Sequence, residues 1–194
     1  RKMGLKDKAF ESAEKADELV KNLSLGGSIT AATVSLNAAT VCEAFNRPHE
    51  ALERYGEAKS IYEDFLEPTD SRLGGLYNNM ALACVSLKEY DCARELYQKA
   101  IEVMSALPGG KPETAITYLN LANAAEAQQG LENADGFISD CLQTAEELLL
   151  DGSNAQDGNY AFVCEKCAPT FEYYGWFMTA EELKRRSDGI YERT

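Results

Sequence analysis

Apolar residues recur along this chain at helical spacing, in blocks that repeat. Tyr77, Met80, Ala81 and Cys84 stand at i, i+3, i+4 and i+7, and Ala93, Leu96, Tyr97, Ala100, Ile101 and Met104 form a second stripe. Such spacing puts each set on one face of a helix. Lys88-Glu89-Tyr90-Asp91 interrupts the pattern and predicts the turn between them. The same text follows in Tyr118, Leu121, Ala122 and Ala125, a Gln129-Gly130 turn, then Ala134, Ile138, Cys141, Leu142 and Ala145. It also precedes, in Ser35, Ala38, Ala39 and Cys42, an Asn46-Arg47-Pro48 turn, then Ala51, Tyr55, Ala58, Ile61 and Tyr62.

The period is carried by Ala9, Ala51, Ala93, Ala134 and Ala180, with steps of 42 (51−9), 42 (93−51), 41 (134−93) and 46 (180−134). One helical hairpin cannot bury its own apolar face, so a repeat of this length predicts helix pairs stacked on copies of themselves. The expected organisation is a single all-α domain over 1–194 with about nine helices. It comprises a half repeat at 6–23, repeats at about 29–66, 71–107 and 112–150, and a capping pair at about 160–193. Pro68-Thr69-Asp70-Ser71 and Pro108-Gly109-Gly110 supply helix stops and caps, and Pro112 suits a first helical turn. Asp151 to Asn159, rich in Gly, Asn and Asp, is a longer loop that accounts for the 46-residue step. Ile29 to Val41 is rich in Thr and Val and alone could be a strand, but its register with the later first helices makes it a helix. Pro169 is expected to kink its helix or to mark its effective start. The half repeat lacks its first helix, so Phe10 and Leu19 should face water unless upstream residues or a second copy cover them.

These residues resemble the tetratricopeptide repeat family. The pairs Ala39/Ala51, Ala81/Ala93 and Ala122/Ala134 stand where that family keeps small side chains so that its two helices touch, and Tyr77, Tyr90, Tyr97 and Tyr118 match its bulky packing sites. The usual repeat is about 34 residues. The longer period here is similar to the repeats of kinesin light chains. HEAT-type repeats share the period of about 40 residues, but do not predict the paired alanines or the tyrosine spacing. The resemblance implies a right-handed α-α superhelix, a solenoid of antiparallel helix pairs. It also implies a non-catalytic scaffold whose partner is a protein or an extended peptide segment held in the concave groove. A neighbouring possibility is a sensor for short signalling peptides; bacterial regulators of that kind use similar solenoids with groove asparagines, behind an N-terminal DNA-binding or effector domain.

Charge narrows the partner. The net charge is −13, and a polyanion needs a basic face. Lys184-Arg185-Arg186 lies beside Glu181 and Glu182 and reads as a solvated helix face, so no nucleic acid is expected. The acidity favours basic or polar partners. No run approaches the ~20 apolar residues of a membrane helix, and Arg1-Lys2-Met3-Gly4-Leu5 has no apolar signal core behind it. Six cysteines, mostly at apolar helical positions, suit a reducing cytoplasm better than a disulfide framework. A homo-oligomer could form through the open N-terminal end.

The polar residues of most interest are Asn37, Asn79 and Asn120, in register with steps of 42 (79−37) and 41 (120−79). Each follows a core residue by two positions, about 200° around a helix, so it points away from the helix-pair core. A carboxamide there offers a donor and an acceptor to a peptide backbone, and Asn78, Asn123 and Lys166 extend the row. The same carboxamides could instead bridge neighbouring helices. Cys164-Glu165-Lys166-Cys167 is a C-x-x-C motif, the remaining redox or zinc reading, yet its register puts both thiols on the core stripe with Ala168 and Phe171. No other ligand or βαβ context supports it. His49 sits alone at a turn, and no motif places a nucleophile, base or phosphate loop, so neither an enzyme nor a cofactor is expected. Tyr173-Tyr174-Gly175-Trp176-Phe177 could form a sticky surface, but such residues more often fill the last inter-helix core.

Overall fold

The computed structural model describes residues 2–193, with side chains described from residue 8 onward; Arg1 and Thr194, the ends of the expected span, lie outside it. Among the described residues there are nine α-helices and no strand: α1 (Lys2–Asn22), α2 (Ile29–Ala44), α3 (Pro48–Phe65), α4 (Ser71–Ser86), α5 (Tyr90–Ser105), α6 (Lys111–Gln129), α7 (Leu131–Leu150), α8 (Gly158–Tyr173) and α9 (Phe177–Tyr191). They fall into two compact units, Arg1–Val103 and Met104–Thr194. The Thr- and Val-rich stretch is helical, as its register requires. Ser28 caps it by accepting from the Ala31 N–H, and Ala32, Ser35, Ala38, Ala39 and Cys42 bury one stripe. Asp70 and Asp157 cap α4 and α8 in the same way.

The turns inside the helix pairs share a device. After α2, the Arg47 N–H reaches the Cys42 carbonyl at 2.9 Å and the Asn46 N–H reaches Glu43 at 2.9 Å. After α4, Glu89 bonds Cys84 and Lys88 bonds Val85, both at 2.9 Å. After α8, Trp176 bonds Phe171 at 2.8 Å and Gly175 bonds Glu172 at 3.0 Å. This is the Schellman pattern, which satisfies the last carbonyls only if one residue turns left-handed. That residue is Asn46 (φ 61), Lys88 (φ 63) and Gly175 (φ 81). Between α6 and α7 the turn shortens to Gly130 alone, at φ 80. Lys88 is the one long side chain in this set, in a conformation that an L residue adopts at a cost.

In the first unit, Ala39 and Ala51 join α2 to α3 with no exposed area, and Tyr55 and Tyr62 fill the space beside them. Tyr55 donates to Glu43 at 3.1 Å, and the Tyr62 and Thr33 hydroxyls meet at 2.8 Å. Burial raises the Glu43 carboxyl above its usual range, with the Tyr55 hydrogen bond opposing. Ala81 on α4 and Ala93 on α5 are equally buried, as are Leu76 and Tyr97. Phe10 is not left to water as expected: its ring lies 5.6 Å from that of Phe45, with the Arg47 guanidinium 4.9 Å above it. Leu19 remains 59% exposed.

The second unit has one continuous core: Ala122 and Ala134 between α6 and α7, Ala168 and Ala180 between α8 and α9, and Leu142, Leu149, Tyr160, Phe171 and Leu183 around them. Gly110 starts α6 so close to the Met104 carbonyl that a Cβ would stand 2.0 Å from its oxygen. The loop before α8 is tied down: buried Asn154 donates to the Leu148 and Leu149 carbonyls at 2.8 and 3.0 Å, closing the end of α7. Pro169 does not mark the start of its helix, because Asp157 caps α8 twelve residues earlier (169−157) at the Gly158 end. The Pro169 ring itself is exposed.

Lys88→Gly should therefore raise the stability of the chain by about 0.5–1 kcal/mol, since glycine adopts φ > 0 without penalty. Urea unfolding measures it; an unchanged or lower midpoint contradicts the turn geometry.

Candidate functional site

Asn37 is exposed on α2, away from the α2–α3 core. It is the carboxamide in a groove of about 280 Å³ otherwise lined by Ala9, Ser12, Ala13 and Ala16 of α1 and by Val34, Ala38 and Val41. Asn79 is half-buried on α4, and its carboxamide oxygen accepts from the Asn78 amide at 3.5 Å. Asn120 is half-buried on α6, where it and exposed Asn123 are surface neighbours three positions apart. The Asn123 oxygen accepts from the Tyr174 hydroxyl at 3.0 Å, so this side chain bridges α6 to the end of α8. Lys166 is exposed on α8.

The Tyr174 hydroxyl also bonds Glu126 at 2.8 Å, and Tyr173 reaches the same carboxylate at 2.7 Å. Burial and then the Glu126 carboxylate raise the Tyr174 phenol above its ordinary range. The aromatic run is only partly core. Tyr174 and Trp176 pack against it, but Tyr173 and Phe177 are each 67% exposed. The left-handed Gly175 reverses the chain between them.

Charge collects in the first unit. A cleft of about 620 Å³ runs among α1, α2 and α3, with Asp17, Glu50, Glu53 and Glu57 against Lys21 and Arg54 on its walls. Arg54 is held by Asp17 at 2.9 Å, and Glu57 accepts from Ser35 at 2.8 Å. In the second unit the Lys184-Arg185-Arg186 cluster is locally balanced: Arg185 and Arg186 pair with Glu182, each at 2.7 Å, and Lys184 pairs with Glu172.

Five of the six thiols are buried; Cys92 is exposed. Cys164 and Cys167 lie in the second core, 0% and 2% exposed, as their register predicts. Burial pushes the Cys167 thiol up to about 12 and raises that of Cys164. A thiolate is the reactive and metal-binding form, so this environment opposes both uses of the motif. A different pair escapes sequence reasoning. The Cys84 and Cys92 sulfurs lie 3.0 Å apart across the α4–α5 turn, with the Glu89 carboxylate alongside. The eight-residue separation (92−84) matches no familiar motif; only the turn geometry reveals it.

Comparison with known proteins agrees with the residue pattern. Residues 72–147 match the tetratricopeptide repeat family model. Protein HGV2 of Halocynthia roretzi is 33% identical over 112 residues, which are 56% of this chain and 20% of that protein. The chain thus spans about a fifth of the length of the curated relative it matches. Among solved structures, the nearly identical TPR-like repeats of a Podosopora anserina protein described as a kinesin light chain superpose with a TM-score of 0.64 at 16% identity, covering 99% of this chain and 90% of that one. BtubC (BKLC) from P. vanneervenii gives 0.55 at 18% identity, over 84% of this chain and 64% of that one. The resemblance to tetratricopeptide repeats of the kinesin light chain kind is borne out, and the fold is all-α and built of TPR-like repeats. Among the described residues no helix is long and apolar enough to cross a membrane.

Brief treatment of the folded protein with N-ethylmaleimide should modify one thiol quickly, at Cys92, and all six only in denaturant. Peptide mapping by mass spectrometry reads the site; early modification of Cys164 or Cys167 would contradict their burial.

Proposed function

We propose that these tetratricopeptide repeats form a non-catalytic scaffold that binds an extended segment of a partner protein. The observation that carries the reading is the register of Asn37, Asn79 and Asn120 on α2, α4 and α6, each outside the alanine contacts that close its helix pair. A carboxamide donates and accepts at once, and can therefore pair with both backbone groups of one ligand residue. Asn78 and Lys166 add polar atoms on the same first helices, and Asn123 retains its amide group beside the Tyr174 contact. The net charge of −13 and the carboxylates of the α1–α3 cleft favour a segment with basic side chains. Such carboxamides suit a short signalling peptide as well as a protein tail; both are extended backbones. Free thiols and mostly buried cysteines fit work in a reducing cytoplasm.

A second association is favoured by α1, where Leu19 and Leu23 are 59% and 63% exposed. Self-association through that face is compatible with the scaffold role.

Peptides selected on the intact chain from a displayed random library supply the probe. Replacing Asn37, Asn79 and Asn120 together with Ala should weaken the best of them at least tenfold, since each hydrogen bond is worth about 1 kcal/mol. Circular dichroism should be unchanged. Unaltered affinity, or a library that yields no binder, would refute the reading.

A further inference from the structure

We propose that Cys84 and Cys92 are an exchangeable dithiol, which oxidised low-molecular-weight disulfides such as glutathione disulfide close into a bond across the α4–α5 turn. The two sulfurs are already 3.0 Å apart. The Schellman turn puts them there: the Cys84 carbonyl accepts the Glu89 N–H, folding the chain back so that the first turn of α5 lies against the last turn of α4. A disulfide needs only that the sulfurs approach to about 2.05 Å, a movement of about 1 Å that side-chain rotation supplies.

The pair is asymmetric in the way that exchange requires. Cys92 is exposed and reachable by a small disulfide, whereas Cys84 is 1% exposed. Burial, then the Cys92 and Glu89 neighbours, push the Cys84 thiol up to about 12, so it is a poor first nucleophile. The Cys92 thiolate, having released its proton to water, attacks one sulfur of glutathione disulfide. That S–S bond breaks, and glutathione thiolate leaves and takes up a proton. The mixed disulfide on Cys92 is then held against Cys84. Cys84 loses its proton to water and its sulfur attacks that of Cys92, releasing the second glutathione. Two protein thiols are oxidised and one glutathione disulfide becomes two glutathione molecules. Reduced glutathione in excess reverses both steps.

The same atoms are a less good metal site. Cys84, Glu89 and Cys92 offer three ligand atoms, all within 4.8 Å of one another, one fewer than a closed structural zinc site uses. Two thiolates on one tetrahedral zinc with bonds of about 2.3 Å would also stand roughly 3.8 Å apart, farther than these sulfurs. The bond would fasten α4, which carries Asn78 and Asn79, to α5 at the turn strained by Lys88.

The fully reduced chain, incubated with glutathione disulfide, quenched in acid and mapped by mass spectrometry, tests this. Two glutathione molecules should be released per chain and a Cys84–Cys92 peptide pair should appear. Cys84→Ala should stop at a mixed disulfide on Cys92, and Cys92→Ser should react at least tenfold more slowly. Should either variant unfold, the wild-type stoichiometry decides alone. A persistent mixed disulfide with one glutathione released overturns the proposal. So does bond formation only in urea, or protection of both thiols by one equivalent of zinc, which would make the cluster a metal site.

Discussion

Every helix pair in this chain closes on two alanines twelve residues apart: Ala39 and Ala51, Ala81 and Ala93, Ala122 and Ala134, Ala168 and Ala180. None of the eight is more than 2% exposed. A side chain as small as methyl lets two helices pack toward the short end of the usual 8–10 Å interaxial range. The interval of twelve also constrains the turn, because helix, reversal and helix must return the second alanine opposite the first. The Schellman bonds and a left-handed residue provide that reversal in three pairs, and Gly130 alone, in place of three turn residues, provides it in the fourth. Larger side chains then fill the space that the alanine contact defines, as Tyr55, Tyr97, Leu142 and Phe171 do.

The same constraint sorts polar residues without any need to place them individually. Once Ala39, Ala81 and Ala122 point into a helix pair, positions two residues earlier point elsewhere, and these are Asn37, Asn79 and Asn120. The C-x-x-C motif is sorted the other way. Cys164 and Cys167 share the face of Ala168, and burial there raises both thiols away from reactivity. The reactive-looking motif is core, and the unremarked pair at the α4–α5 turn is where two sulfurs meet with one of them in water.

Helices, turns and the core stripe were legible because each depends on residue size at fixed spacing, and the alanines and tyrosines repeat that spacing openly. What escaped depends on local backbone geometry. Lys88 carries no sign of a left-handed conformation, and without that turn the approach of Cys84 to Cys92 is invisible. Phe10 was expected in water because its cover, Phe45 and Arg47, comes from the turn after α2 rather than from a helix face. Composition alone does not separate the rings of the aromatic run: Tyr174 and Trp176 pack inward, while Tyr173 and Phe177 are exposed. The chemistry of Pro169 allows a kink or a boundary, and the stronger signal for the boundary is Asp157, a capping side chain at the true start. Of the candidate site, the register of the asparagines was readable; the Asn123–Tyr174 bridge and the acidic cleft were not, since both join residues distant in the chain.

The most direct measurement is equilibrium urea unfolding of Ala81→Leu and Ala168→Leu, one for each unit, beside Phe162→Leu on an exposed face of α8. If the alanine contacts set the helix spacing, each alanine variant loses about 1–3 kcal/mol through overpacking while the exposed control stays within about 0.5 kcal/mol. Alanine variants as stable as the control would contradict the account, because the helices would then have room that no alanine was needed to remove.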